Sequence, residues 1–168
     1  VTPSPTPVPT PEPVSYSFAN AKVGDVVTFG SYEQDNNKNN GPEAIRWIVL
    51  DRKDGMVLLL SEKCLDCKKY NDTYREVTWE TSTLRIWLNS NFLNDAFTES
   101  EQKEIAENPD KVTLLSVQEV SNYLKTDADR RAAPTAYALA QGVWTTEGYQ
   151  AKDGGNACWW WLKDRGDN

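Results

Sequence analysis

Any chemistry in this chain has to be done without histidine. That removes Ser-His-Asp and Cys-His nucleophilic catalysis, histidine metal sites and imidazole pH switching. The reactive residues that remain are three cysteines, Cys64, Cys67 and Cys158. Cys64-Leu65-Asp66-Cys67 has the spacing of a redox dithiol or of half a zinc site. A four-ligand zinc site needs two more ligands, and only Cys158 is left to supply one. A thioredoxin-like dithiol opens a helix after a parallel strand, with an aromatic residue before it. Here the pair is trailed by Lys68-Lys69-Tyr70-Asn71. It therefore reads as small buried thiols or, in an oxidising compartment, as a local disulfide. No catalytic residue, metal or cofactor is assigned.

Aromatic residues offer recognition instead of reaction. Ala157-Cys158-Trp159-Trp160-Trp161-Leu162 has the composition of a strand. Alternation would put Trp159 and Trp161 on one face and Trp160 with Cys158 on the other. Such rings can stack on the apolar face of a pyranose. Large aromatics are more often buried, so at least two of the three are expected in the core. The segment from Trp144 to Asn156 is polar and glycine-bearing and reads as a loop. Loops on a rigid scaffold carry recognition. The candidate ligand-binding residues are therefore Trp144, Tyr149, Asp153, Asn156 and Trp160. Asp35 to Pro42 superficially resembles a calcium loop. Its glycine, Gly41, falls one place late, and Arg46 stands where an EF-hand has glutamate. A plain hairpin loop is expected. Arg165-Gly166-Asp167 matches an adhesion tripeptide by chance.

These residues must be held by elements the pattern also shows. Leu84, Trp87, Leu88 and Phe92 fall on one face of a helix, with Thr81 or Ser82 to cap it. Asn89, Ser90 and Asn91 loosen it before Phe92. Leu84, Trp87, Leu88, Trp47 and Val49 are the expected core. Val26 to Gly30, Ile45 to Arg52 and Met56 to Ser61 read as a three-stranded antiparallel meander. Its second turn contains Asp54-Gly55. Thr98-Glu99-Ser100-Glu101 and Ser116-Val117-Gln118-Glu119 are capping boxes, opening helices over 99–106 and to Leu124. Lys111 to Leu115 is a strand candidate. Pro134 suits the first turn of a helix over Thr135 to Gln141, ended by Gly142.

The chain has 168 residues, 18 Lys and Arg against 25 Asp and Glu, and a net charge of −7. That suits one domain and disfavours nucleic acid and anionic membrane as partners. No apolar run approaches the roughly 18 residues of a membrane helix. Pro3, Pro5, Pro7, Pro9, Pro11 and Pro13 alternate with Thr, Ser, Val and Glu. Residues 1–14 therefore read as an extended linker, about 3.1 Å per residue in polyproline form. The folded domain is expected over 15–168. The start at Val1, with Met56 the only methionine, suggests a processed chain or a fragment.

The motifs now carry a resemblance. Gly24-Asp25-Val26-Val27-Thr28-Phe29-Gly30-Ser31-Tyr32-Glu33-Gln34-Asp35 is similar to the opening of an uncharacterised domain family. That family occurs in secreted and surface proteins of Gram-positive gut anaerobes. Thr78-Trp79-Glu80-Thr81, Leu84-Arg85, Trp87-Leu88-Asn89, Pro134-Thr135-Ala136-Tyr137-Ala138 and Trp159-Trp160-Trp161-Leu162 continue it in order. The resemblance implies an α+β fold with antiparallel sheets and several short helices, loosely C-type-lectin-like and related to sulfatase-modifying factors. It also implies an extracellular or cell-surface location. The family follows its tryptophan strand with Leu-Arg-Ser-Pro-Gly and further strands, whereas here Leu162-Lys163-Asp164-Arg165-Gly166 follows. A C-terminally truncated domain is therefore expected, with an incomplete sheet, uncovered apolar surface at Trp159 to Trp161, and self-association through it.

Three functions compete. The first is a non-catalytic recognition module binding a glycan or a surface protein. The second is an enzyme of the sulfatase-modifying-factor type, using cysteines and a metal. The third is a structural or assembly domain of a larger surface protein.

Overall fold

The computed structural model describes residues 18–164. The expected linker over 1–14 and the tripeptide Arg165-Gly166-Asp167 lie outside the described residues. The described chain is an α+β mix of antiparallel sheets and short helices. Strands β1 (Val26–Tyr32), β2 (Glu43–Lys53) and β3 (Met56–Ser61) form a meander in that spatial order. Asp54 and Gly55 join β2 to β3 with φ of 51° and 80°. Two left-handed residues in a row give the turn whose twist matches that of the strands.

β1 meets the helices at Gly30. The register of β1 on β2 shifts between Thr28 and Ser31, and Gly30 has φ 68°. A Cβ there would lie 2.6 Å from the Ala96 carbonyl and 2.6 Å from the Phe97 ring. Only glycine allows this approach. The Gly30 N–H donates to Glu101 Oε1 at 3.3 Å. Glu101 also accepts from Thr98 N at 2.8 Å, closing the capping box of α3 (Glu99–Glu104).

The central helix is not uniform. A short 3-10 turn, Trp79–Thr81, leads through Ser82 into α1 (Thr83–Trp87). A π-helical turn, Leu88–Phe92, then passes into α2 (Leu93–Ala96). Ser82 is the cap, accepting from Arg85 N at 3.2 Å. The widening has a local cause. Asn89 Nδ2 and Ser90 Oγ donate to the carbonyls of Arg85 and Ile86, at 3.1 and 2.6 Å. Side chains thus take carbonyls the α-ladder would use, and Leu93 N reaches back to Leu88 O. The expected core is corrected in part. Leu84, Phe92 and Val49 are buried, whereas Trp87, Leu88 and Trp47 are half-buried.

α4 (Val117–Tyr123) begins at the Ser116–Glu119 capping box. α5 (Ala136–Ala140) is capped by Thr135, so Pro134 precedes the helix instead of lying in its first turn. Three further expectations are overturned. Lys111 to Leu115 is not a strand. Asn89 Oδ1 accepts from Lys111 N and Val112 N at 3.0 and 3.1 Å, and its Nδ2 donates to Val112 O at 2.8 Å. Those backbone groups are no longer free for a ladder. The segment from Trp144 to Asn156 is not a loop throughout, because β4 (Thr145–Gln150) pairs with β5 (Asn156–Cys158) within it. The tryptophan strand ends at Cys158, and Trp159 and Trp161 are 74% and 52% exposed.

Two apolar clusters result. Phe29, Tyr32, Ile45, Phe92, Leu93, Ala96 and Phe97 form the larger. Leu50, Leu115 and Leu124 form the smaller, with Ile48, Leu60 and Trp160 packed against it. Arg85 and Asp110 tie the helix to the loop beyond α3, with Arg85 Nη2 2.7 Å from Asp110 Oδ1. Trp79 Nε1 donates to Asp110 Oδ2 at 3.0 Å. The Arg85 guanidinium, helped by the Trp79 N–H, holds the Asp110 carboxyl below the usual range.

Two outcomes are expected. Gly30→Ala adds a steric clash to the left-handed strain, and Gly24→Ala adds only the strain, since nothing lies within 4 Å there. Gly24→Ala should cost about 1 kcal/mol and Gly30→Ala at least about 2 kcal/mol. Equal costs in urea melts would show that the approach of Gly30 to Phe97 is not tight. For Asp110, a lowered folded pKa means stability that is complete above the ordinary carboxylate pKa. It is lost as pH falls through the lower folded value. Asp110→Asn should flatten the acid limb of a stability–pH curve, and an unchanged limb would rule the ion pair out as its source.

Candidate functional site

A cavity of about 500 Å³ lies between the two clusters. Trp47, Leu65, Trp87 and Leu88 wall it from the larger cluster, and Leu60, Leu115, Leu124 and Trp160 from the smaller. Trp144, Trp159 and Trp161 stand on it as well. This volume and this apolar, aromatic lining are those of a ligand site.

The four clustered tryptophans are held by local bonds. Trp159 N donates to Trp144 O at 3.2 Å, which continues the β4–β5 pairing and sets these two residues side by side. Trp159 Nε1 donates to Thr146 Oγ1 at 2.8 Å. Trp160 Nε1 donates to Arg130 O, and Trp161 Nε1 to Lys68 O, each at 3.0 Å. The indoles of the Trp159–Trp161 run therefore commit their one donor to the protein, which fixes each ring and leaves its faces for contact. The three consecutive indoles find acceptors in three different segments, just past the end of β5.

The disulfide Cys64–Cys158 anchors the cluster from beneath. Segment 132–135 passes between the two cysteines. Cys64 N donates to Ala133 O and Thr135 N to Cys64 O, both at 3.0 Å, and Cys158 N donates to Ala132 O at 2.9 Å. The local CxxC bridge is therefore not formed. Cys67 is a free, half-buried thiol on the cavity wall.

Polar groups on the wall are already paired. Asp66 Oδ2 accepts from Tyr32 Oη at 2.7 Å and lies 3.5 Å from Lys68 Nζ. Burial, followed by this bond to Asp66, pushes the Tyr32 phenol well above its usual range. Lys68 Nζ sits 4.8 Å from the centre of the Trp87 ring. Asp129, hydrogen-bonded to Lys152 and Thr126, is held down at about 2. The cavity thus offers aromatic faces and neutralised ion pairs.

Of the candidate residues, Trp144 and Trp160 line the cavity together. Trp144 is 75% exposed and Trp160 half-buried. The other three are on or beside the β4–β5 hairpin, outside the lining. Tyr149 lies under Arg131, 5.0 Å from its guanidinium. Asp153 accepts from Gly155 N at 3.0 Å and pairs with Lys63 at 3.2 Å. Asn156 is exposed in β5. The sequence reading offers the tryptophan run as a platform, but its candidate residues hold only Trp160 of it and leave out Trp159, Trp161, Trp87 and Trp47, which also line the cavity. The signal for the first two was present: successive indoles need three N–H acceptors that one ladder cannot supply.

Among the described residues, Glu33, Asp35 and Glu43 bring carboxylate oxygens within 4.8 Å of one another, as a cation site would require. Loop amides bond to these carboxylates. Gln34 N donates to Glu43 Oε2 and Asn37 N to Asp35 Oδ1, both at 2.7 Å. This is the wiring of a hairpin loop.

Residues 54–167 match a domain family of unknown function, DUF6273. The match covers more than half of the chain, so the chain belongs to that family. No curated protein and no solved structure matches the chain.

The disulfide closes a sequence separation of 94 residues. Cys158→Ser should cost about 2–5 kcal/mol, and Cys67→Ser should fall within about 1 kcal/mol of the parent. Denaturant melts without reductant measure both. A Cys67 variant as unstable as the Cys158 variant would reassign the bridge.

Proposed function

We propose that this member of the family is a non-catalytic, extracellular recognition module that binds a glycan through its tryptophan cluster. The observation that carries the reading is the pair Trp144 and Trp159. Both rings are mostly exposed, they are neighbours through a backbone bond, and the Trp159 N–H is tied to Thr146. Rings fixed before binding lose little entropy when a sugar face stacks on them. The resemblance to lectin-like architecture supports the same reading, as does the apolar wall behind the rings.

The disulfide supports an extracellular location, since such bonds persist in oxidising compartments. It also favours recognition over chemistry of the sulfatase-modifying type, which uses paired thiols. A structural role by self-association would use the same exposed tryptophans, and a host or wall protein would be the competing ligand.

A glycan array on the full chain tests the proposal, followed by titration of any hit against variants. Trp144→Ala and Trp159→Ala should each weaken binding at least ten-fold, about 1.4 kcal/mol or more, with an unchanged melting temperature. Asn156→Ala should bind like the parent. Blank arrays together with blank pull-downs from wall material would sink the proposal.

A further inference from the structure

Five charged residues line the cavity: Lys63, Asp66, Lys68, Asp129 and Arg130. Four of them are balanced by a close partner. Lys63 pairs with Asp153 at 3.2 Å, Asp66 with Lys68 at 3.5 Å, and Asp129 with Lys152 at 2.7 Å. Arg130 is the exception. Among the described residues, its paired carboxylate is Asp127, which lies 3.9 Å from Nη1 and has a side chain 85% exposed. An ion pair that long and that exposed contributes little. Asp129, although adjacent in sequence, is already bonded to Lys152 Nζ and to the N–H and hydroxyl of Thr126.

The guanidinium is nonetheless held in place. Arg130 Nε donates to Leu124 O at 3.1 Å, and Arg130 O accepts from Trp160 Nε1 at 3.0 Å. Leu124 and Trp160 both line the cavity, so both anchors draw Arg130 to its wall. Leu124 is itself buried in the smaller cluster. One bond orients the planar fork, and the other fixes the backbone behind it. The remaining donors, on Nη1 and Nη2, have no hydrogen-bond partner among the described residues.

A guanidinium edge fixed in this way matches the two oxygens of a carboxylate, which it binds through parallel N–H···O bonds. A sugar hydroxyl brings one oxygen and no charge, so it meets only part of that demand. A neutral ligand that displaced water from Arg130 would leave the charge unpaired beside apolar surface, which is costly. The tryptophan rings of the same cavity call for a flat apolar face. The net charge of −7 repels anions at long range. Salt screens that field over about 8 Å, and on the wall itself the unbalanced charge is positive.

We propose that the ligand of this cavity is an acidic glycan, a pyranose whose carboxylate is received by the Nη edge of Arg130 while the sugar stacks on the tryptophans. The inference rests on the glycan reading above and adds the ligand's charge to it. It also divides the work: Trp144 and Trp159 serve any pyranose, and Arg130 discriminates between charged and neutral ones.

Matched probes titrated into the full chain by calorimetry decide it. Tetragalacturonate and 3′-sialyllactose carry the carboxylate, the methyl ester of each is its neutral twin, and 3′-sulfolactose carries a rival anion. A carboxylate probe should bind at least about ten-fold tighter than its ester. Arg130→Gln and Arg130→Lys should both bring the acid down to the ester, since lysine keeps the charge and loses the fork. Arg131→Gln should bind like the parent, because that guanidinium lies over Tyr149 and outside the cavity lining. Trp159→Ala should weaken acid and ester alike. Equal affinity for acid and ester in the parent overturns the inference and leaves the glycan reading standing, and that comparison needs no variant to fold. A preference for sulfolactose overturns the carboxylate assignment. A loss in Arg131→Gln as large as that in Arg130→Gln overturns the role of Arg130. A glycan array that returns only neutral sugars overturns the inference alone, whereas a blank array removes the glycan reading with it.

Discussion

Everything around the cavity depends on one side chain, Asn89. Its carbonyl oxygen accepts from Lys111 N and Val112 N, and its amide donates to Arg85 O and Val112 O. An amide that fills both donors and both lone pairs behaves as a piece of backbone. Asn89 thus splices the central helix to the 111–112 segment as a strand neighbour would. Half-buried bonds of this kind exceed their exposed counterparts, since an unmade partner would stay desolvated. The adjacent Arg85–Asp110 pair and the Trp79 N–H clamp the same joint.

The π turn follows from this splice. Phe92 and Leu93 are both buried in the larger cluster, and Trp87 and Leu88 pack against it from the cavity side. A wider turn shifts the helix face between these two sets, so one short helix serves the core and the wall together. Gly30 completes the arrangement from the sheet side, because α2 sits against β1 closely enough to exclude any side chain there. Phe97 then meets Phe29, Trp47 and Phe92 in ring contacts of 5.2 to 6.3 Å between centres.

Local signals survived folding, and signals that needed a partner did not. The Asp54-Gly55 turn and the Thr98 and Ser116 capping boxes are complete within four residues, and each was legible. The meander was legible because its strands are consecutive in sequence. Lys111 to Leu115 has strand composition, yet its backbone went to Asn89, a choice no window on that segment contains. The cysteines failed likewise: CxxC spacing suggests a local bridge, while the actual partner of Cys64 lies 94 residues away across segment 132–135. For the site, polar loop composition pointed to the β4–β5 hairpin. That brought Trp144 to the cavity but left Tyr149, Asp153 and Asn156 off its wall.

The splice at Asn89 also explains why there is a cavity. Protein interiors close to crystal-like density when nothing prevents it. Here Val112 to Leu115 share the cavity wall with β3, and the first backbone groups of that segment are bound to the helix instead. The disulfide and the backbone bonds of segment 132–135 hold the tryptophan cluster on the opposite wall. Neither wall can move inward without breaking half-buried polar bonds, which are costly to leave unmade. The gap is therefore a consequence of polar wiring on both sides and not of loose packing. The arrangement leaves rigid aromatic walls around one cavity, a feature from which recognition sites are made.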